Sequence, residues 1–298
     1  MDAGADANSL DRAAKDFLAI RPRLFGIVYR VLGSTVEAED IVQEAWVRWQ
    51  NTDRADILEP AAFLATVTTR LAINFAQSAR VRRESYVGPW LPEPVNTGAD
   101  PQVGAERAEA LELAVLRLLE RLNPVERAAY VLREAFDYPY RQIADILETS
   151  EANTRQLVSR ARKHLAAARR ERVSSAEHRR LLEVFLSAAQ TGDLAVLEKV
   201  LAADVVSYSD GGGTRGASRI PVVGRLPVAR YLVAFAPRFW PGTELRWVEA
   251  NGRPAVLISS AGATTALLCV DVSTEGIETI MWLMNPAKVS PFVASLDG

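Results

Sequence analysis

The chain carries one cysteine, Cys269, in 298 residues. A disulfide framework and a cysteine-based metal site are therefore both excluded, and neither metal nor cofactor is expected. No basic segment followed by an apolar run opens the sequence, so a signal peptide is not expected and a cytoplasmic location is the default expectation. Long apolar runs are missing too: PAVLISSAGATTALLCVDV is broken by Ser, Thr and Gly and reads as strands, which leaves no membrane span. Low-complexity tracts are absent, and 49% hydrophobic with 24% charged residues describes a globular chain with room for two or three cores. The last absence is a basic excess. A net charge of −2 by itself argues against a nucleic-acid partner.

The distribution of charge argues the other way. Residues 70–83 hold Arg70, Arg80, Arg82 and Arg83 and no acid. Residues 150–172 hold Arg155, Arg160, Arg162, Lys163, Arg169, Arg170 and Arg172 against Glu151 and Glu171. EAEDIVQE, residues 37–44, holds four acids and no base. Such blocks fit two surfaces for phosphate and one for a basic protein, although each block alone also fits a solvated helix face.

From Leu10 to about Arg83 the pattern is helical. Phe17, Leu18, Leu24, Phe25, Val28 and Leu32 form an apolar stripe that Gly33-Ser34 closes, and Ile41, Ala45, Val47 and Trp49 continue it in a second helix. A third helix carries the first basic block. A second helical piece covers about 106–172, with Leu111, Val115, Leu118 and Leu122 on one face and Asn123-Pro124 restarting the helix. After Ser174 the pattern changes to helices at 177–190, 193–201 and 227–236, a strand in VVSYSDGGG, and hairpins at Asn251-Gly252 and Glu275-Gly276. That is an α+β domain ending in a meander.

Within PYRQIADILETSEANTRQLVSRARKHL, residues 139–165, Ile143, Ala144 and Leu147 back a first helix and Thr149-Ser150 turns into a second. There Leu157, Val158, Ala161 and Leu165 face inward, leaving Arg155, Gln156, Ser159, Arg160 and Lys163 mainly outward. A recognition helix needs an apolar back and donors in front. A solvent-exposed basic hairpin is the plainer alternative.

Between the helical pieces lies SYVGPWLPEPVNTGADP, residues 85–101, whose four prolines forbid a continuous helix. Trp90 and Leu91 are too apolar for a loop tip in water. They need a partner surface, either the C-terminal domain or one helical domain.

At this point a resemblance enters. LFGIVYRVLGSTVEAEDIVQEAWVRW resembles region two of extracytoplasmic-function sigma factors, whose Asp-x-x-Gln-Glu-x-aromatic signature is met by Asp40, Gln43, Glu44 and Trp46. LERLNPVERAAYVLREAFDYPYRQIADILETSEANTRQLVSRARKHL resembles region four, with Glu148 where the turn usually has glycine and Thr154 where an aliphatic residue is common. Trp90, Leu91, Pro92, Glu93 and Pro94, then Asp210, Gly211, Gly212 and Gly213, then Asn285, Pro286 and Lys288 resemble the motifs of the group with a SnoaL-like C-terminal domain. That group usually has a lysine after the glycines and an acid before the last lysine; here Thr214 and Ala287 stand instead.

The resemblance implies a multi-domain fold: an all-α region-two domain (10–85), a Pro-rich linker (86–105), an all-α helix-turn-helix domain (106–172) and an α+β, cone-shaped domain (175–298). It implies that Asp40, Gln43, Glu44 and Trp46 dock on the polymerase core at its beta-prime clamp, with the beta flap as a further contact. Trp46 could equally be core. It implies that Arg70, Asn74, Arg80, Arg82 and Arg83 engage the minus-ten element, and that Arg155, Gln156 and Arg160 reach minus-thirty-five bases with Arg162 and Lys163 on phosphate. The expected partners are thus RNA polymerase core and promoter DNA, without a membrane or a separate anti-sigma protein, and with a small-molecule ligand of the last domain left open. SnoaL-like folds include enzymes, but Asp204, Asp210 and Asp271 have no histidine after His178 to pair with, so no catalytic residue is expected. A helix-turn-helix repressor with a ligand domain is the competing reading, and it leaves the acidic helix unexplained. An enzyme with an incidental basic helix explains less.

Overall fold

The computed structural model describes residues 3–98, 112–166, 173–214 and 216–296, without the side chains of 3–9, 80–82 and 84. The described residues group into two compact units, one of 3–82 and 115–166, the other of 83–98, 112–114, 173–214 and 216–296. The two helical pieces thus share one unit, and the proline-rich segment belongs to the second.

In the first unit α1 spans Ala3–Leu32, α2 Thr35–Asn51 and α3 Pro60–Glu84. Gly33, at φ 72°, stops α1, and the Ser34 hydroxyl accepts the Glu37 amide at 3.2 Å to start α2. Ala13, Phe17, Leu24, Val28 and Val31 are the buried row of α1. Leu18, expected in that stripe, is 65% exposed because it lies about 100° around the helix from Phe17. Val47 is likewise exposed, about 200° around α2 from buried Ala45.

The unit continues with residues 115–119 of α4 (Leu113–Leu119), then α5 (Pro124–Glu134), α6 (Tyr140–Ile146) and α7 (Glu151–Ala166). Leu111, expected on the α4 face, lies outside the described residues. Asn123 caps α5 by accepting the Glu126 amide at 2.9 Å, as its Asn-Pro sequence predicts. The Arg127 guanidinium is buried where it donates to the Val31 carbonyl at 2.6 Å, and Arg23 donates to the Phe136 carbonyl at 2.8 Å. Both bonds tie α1 to the α5 region, and this is why the helical pieces merge.

The second unit contains α8 (Ser175–Thr191), α9 (Leu194–Val200), β1 (Leu201–Asp210), β2 (Val222–Val223), α10 (Arg225–Phe239), β3 (Thr243–Ala250), β4 (Arg253–Ser260), β5 (Ala263–Ser273), β6 (Gly276–Leu283) and α11 (Pro286–Ala294). The sheet order is β2-β1-β6-β5-β4-β3, with β1 and β6 parallel and the other pairs antiparallel. It is open, with β2 and β3 as edges. Besides the two expected hairpins there is a third at Ala261-Gly262, both at positive φ, within the stretch PAVLISSAGATTALLCVDV.

The two faces of this sheet bury different things. One face, with Val256, Ile280 and Trp282, packs on Leu182 and Phe185 of α8 and Val228 and Leu232 of α10. The other, with Leu257, Leu267 and Leu283, packs on Leu91, Leu113 and, from α11, Val289 and Phe292. Because neighbouring residues on a strand point to opposite sides, Ser209 and Asp210 of β1 serve opposite faces.

Candidate functional site

On α2, Asp40, Gln43 and Glu44 are exposed on one side, and Ser34 fixes where that side begins. Trp46 is half-buried, its ring 5.0 Å from Phe17, so it is wall and surface at once. Glu44 accepts from Arg48 one turn on, at 2.9 Å.

The basic candidates divide. Asn74 is exposed on α3. Arg70, on the same helix, donates to the carbonyls of Ile146 at 2.8 Å and Asp145 at 2.9 Å and pairs with Glu148 at 2.8 Å. It thereby satisfies orphan carbonyls at the C-terminus of α6. Glu148 takes the left-handed conformation (φ 51°) that glycine usually supplies in this turn, and its carboxylate meets Arg70. The side chains of Arg80 and Arg82 lie outside the description, as do residues 169–172 of the second basic block. Arg83 belongs to the second unit, where its guanidinium lies 3.7 Å from the centroid of Trp90.

Along α7, Thr154, Leu157, Val158, Ala161 and Leu165 are buried, while Arg155, Gln156, Arg160, Arg162 and Lys163 are exposed. Buried Thr154 satisfies its hydroxyl on the Ser150 carbonyl at 3.1 Å, which lets a polar residue stand in an apolar row. Three of the arginines hold acids: Arg155 with Glu151 at 2.5 Å, Arg160 with Glu126 at 3.2 Å and Arg162 with Glu134 at 2.7 Å. Arg155 also lies over the Tyr140 ring. These pairs are solvent-exposed on their arginine side, so a stronger anion can displace the acid at little cost.

The second cluster forms around Asp210, which is fully buried at the end of β1. Its Oδ1 accepts the Tyr86 hydroxyl at 2.5 Å, and its Oδ2 accepts the Leu91 amide at 2.8 Å and the Lys288 ammonium at 2.7 Å. Lys288 also donates to the Leu91 carbonyl at 2.5 Å and stands 4.0 Å from the Trp90 ring centre. Trp90 is therefore flanked by two cations, Arg83 and Lys288. Leu91 is fully buried among Leu257, Leu267 and Leu283. Burial depresses the Lys288 ammonium, and Asp210 partly restores it. The Tyr86 phenol is pushed well above its ordinary value by burial and by the Asp210 carboxylate.

The glycines of the turn are steric. A Cβ on Gly212, at φ 57°, would come within 2.6 Å of the Asn285 amide, and one on Gly211 within 2.4 Å of Ala217. Thr214, where the group has lysine, closes the turn by donating to the Gly211 carbonyl. Asn285 donates to Tyr86 at 2.8 Å and accepts the Ala287 amide at 3.0 Å, capping α11 with Pro286 in its first turn. Ala287 needs no acid side chain for that cap. Pro92 and Pro94 are buried and Glu93 is half-buried.

Sequence reasoning missed Tyr86, the ring that joins Asp210 to Asn285, because an aromatic in a loop carries no spacing signal. It also read Asn251 as a turn residue alone. In fact Asn251 exchanges hydrogen bonds with Val95 at 2.9 and 3.0 Å, and Thr97 donates to Glu249 at 2.6 Å, so the end of the proline-rich segment 85–98, a hook between the helical pieces in the chain, adds itself to the β3–β4 hairpin. Among the described residues no cluster of His, Cys, Asp and Glu could hold a metal. No described helix is long and apolar enough to cross a membrane.

Comparison with known proteins identifies the family. Sigma-70 region 2 matches residues 17–82, and Sigma-70, region 4 matches residues 112–165. The chain is 39% identical over 234 residues to the ECF RNA polymerase sigma factor SigJ of Mycobacterium tuberculosis, covering 76% of this chain and 74% of that one. It is 32% identical over 294 residues to the probable ECF RNA polymerase sigma factor SigI of the same organism, covering 97% and 98%. The crystal structure of M. tuberculosis SigJ superposes with a TM-score of 0.76 over 93% of this chain and 98% of that one, at 32% identity. The acidic helix, the helix-turn-helix and the α+β domain behind them thus belong to one plan, and the chain is a member of the extracytoplasmic-function RNA polymerase sigma factors, which direct promoter-specific transcription initiation.

Proposed function

We propose that this sigma factor is regulated in cis, its C-terminal domain gripping the hook between the two promoter-reading regions. The carrying observation is Asp210. A fully buried carboxylate takes one hydrogen bond from the Leu91 backbone, one from Tyr86 and one from Lys288. A buried charge of this kind persists only where partners repay its desolvation, and here the partners come from the hook and the C-terminal tail. Asp210 is an anchor, not a base: both its oxygens are engaged, by the Tyr86 hydroxyl, the Leu91 amide and the Lys288 ammonium. Held this way, residues 86–98 set the span available between regions two and four. A regulator built into the chain removes the need for a separate anti-sigma protein.

The remaining assignments follow region by region. Asp40, Gln43 and Glu44 offer carboxylates and an amide around Trp46 to a basic surface of the polymerase clamp. Arg70, Asn74, Arg80 and Arg82 serve the minus-ten strand, Arg70 after leaving α6 and Glu148. Arg83 serves the grip on Trp90 first. Arg155, Gln156 and Arg160 read the minus-thirty-five element, and Arg162 and Lys163 hold phosphate, each arginine exchanging an acid of its own unit for DNA.

Run-off transcription with polymerase core tests the reading. Trp90→Ala and deletion of residues 285–298 are compared singly and together. If each breaks the same grip, the double variant changes promoter output no more than the larger single change. Strictly additive effects overturn the reading.

A further inference from the structure

The second unit carries a charge pattern that the grip on the hook leaves unused. Residues 211–243 contain Arg215, Arg219, Arg225, Arg230 and Arg238 and no acid. Arg215 lies outside the described residues, and Arg225 donates to the Leu201 carbonyl at 2.8 Å. Arg219, in the loop before β2, and Arg230 and Arg238, on α10, are exposed, and none of the three has an ion pair or a side-chain hydrogen bond among the described residues. Elsewhere in the unit arginines hold acids: Arg179 with Glu183, Arg180 with Glu177 and Arg253 with Glu112.

The helix orders this charge. Val228, Ala229, Leu232 and Ala236 are its buried positions. Arg230, Ala234 and Arg238 recur at every fourth position on the side away from them, and all three are exposed. Eight residues of helix set the two arginines ~12 Å apart along its axis, so they can reach separate anionic groups. Ala234 between them is small, which lets a partner come close to the helix. A partner with a single charge would leave one arginine idle. Duplex DNA presents one phosphate charge per ~1.7 Å of its axis and serves both.

Chain connectivity keeps such a partner near. α3 runs to Glu84, past the point where the second unit begins at Arg83, and the chain from Ala166, the end of α7, to Val173 spans at most ~25 Å. With α3 and α7 on a promoter, the second unit is tethered to the same duplex at high effective concentration. This proximity rests on the DNA contacts proposed for those helices; the face of α10 does not.

We propose that Arg230 and Arg238 form a further DNA-binding surface, taking the phosphate backbone of duplex DNA without reading its sequence. Ile220, Val223 and Leu226 are exposed near the start of the same helix and would suit an apolar protein partner. Such a partner leaves both arginine charges unmatched, and DNA does not.

Binding of the full chain to a fluorescently labelled duplex of roughly 40 base pairs and arbitrary sequence, followed by anisotropy from about 50 to 200 mM KCl, tests the proposal. Arg230→Gln with Arg238→Gln should lower the slope of log affinity against log salt by about 1.8, or 0.9 for each contact, and weaken binding about tenfold or more at the lowest salt. Arg230→Lys with Arg238→Lys should restore most of both, because a phosphate contact needs the charge. Arg179→Gln with Arg180→Gln changes net charge equally on another helix and should have the smaller effect. Leu226→Ser with Ile220→Ser should change neither quantity. An unchanged slope in the glutamine pair at α10 overturns the proposal. So does an equal loss in the α8 pair or the serine pair, or no binding by the wild-type chain up to about 100 μM at the lowest salt. Arg155→Ala, measured alongside, reports the α7 contact by itself, so the two surfaces can fail separately.

Discussion

The two units use charge in opposite ways. On α7 the arginine side chains are 51–57% exposed, and the acids they hold are 11–43% exposed. In the second unit the Lys288–Asp210 pair is 6% and 0% exposed and shares its donors with backbone. Exposed pairs contribute about 0–1 kcal/mol each and exchange partners readily, as the DNA contact proposed for α7 requires. A buried pair costs several kcal/mol to desolvate, and breaking it by removing one partner costs about 3–5 kcal/mol. Surface charge is thus available for exchange, and buried charge holds a shape.

The sharpest way to break this contrast is at Lys288. Lys288→Ala leaves Asp210 buried with a charge partner removed, so the second unit should lose about 3–5 kcal/mol in urea unfolding followed by tryptophan fluorescence. Lys288→Met with Asp210→Asn removes both charges and should recover much of that loss. If the single and double variants are equally unstable, the pair is not what holds the hook.

Next in size is Arg155→Ala, which costs the exchangeable pair with Glu151 and the exposed contact with the Tyr140 ring in the free protein. Its stability should stay within about 0.5 kcal/mol of wild type. On promoters, however, losing a base contact should cost about 1–3 kcal/mol in a way that depends on the minus-thirty-five sequence. Run-off output across a panel of minus-thirty-five variants checks this, and a uniform loss would move Arg155 to the phosphate group.

Much of this was legible in the sequence for a physical reason. Asp40 to Trp46 and Ile143 to Leu165 are local patterns, where spacing on one helix fixes which side chains share a face. The Trp90-Leu91 problem was legible too, because apolar residues between prolines demand a partner wherever the chain goes. What could not be read was long-range pairing. Tyr86, Arg70 and Asn251 act through partners more than 70 residues away in the chain, and no local period marks them. The merging of the helical pieces depends on Arg127 reaching Val31, which looks in sequence like any arginine on an exposed face. Leu18 and Val47 depart for the opposite reason: hydrophobicity alone does not fix the face of a helix on which a residue lies.

A smaller effect separates the units by pH. His178 on α8 is buried, its Nε2 against the Val270 carbonyl at 3.1 Å, and burial holds it below its ordinary value of 6.5. The unfolded chain takes up a proton as pH falls through 6.5 while the folded chain does not, so the second unit loses stability below that pH. Above it the contribution is constant. Comparing urea midpoints of wild type and His178→Gln from pH 7.5 down to 5 should give a difference that narrows as pH falls. A constant difference would mean that His178 titrates alike in both states.

The smallest expected effect lies at Glu148, where two terms oppose each other. Its left-handed backbone, φ 51°, costs a non-glycine residue about 1 kcal/mol, and replacement by glycine relieves it. Glycine also loosens the unfolded chain by about 0.4–1 kcal/mol, which offsets most of that gain. What remains is the pair with Arg70, 75% exposed on the glutamate side and so worth at most about 1 kcal/mol. Glu148→Gly should therefore leave stability within about 0.5 kcal/mol of wild type, and Glu148→Ala, which keeps the strain and loses the pair, should be the less stable of the two. The functional difference runs the other way. Both variants release one of the three partners of Arg70, so both should raise minus-ten engagement equally if that arginine must leave α6 to meet DNA. Permanganate footprinting of the open complex with each variant checks this. An increase confined to Glu148→Gly would assign the effect to the turn and take Arg70 out of the account.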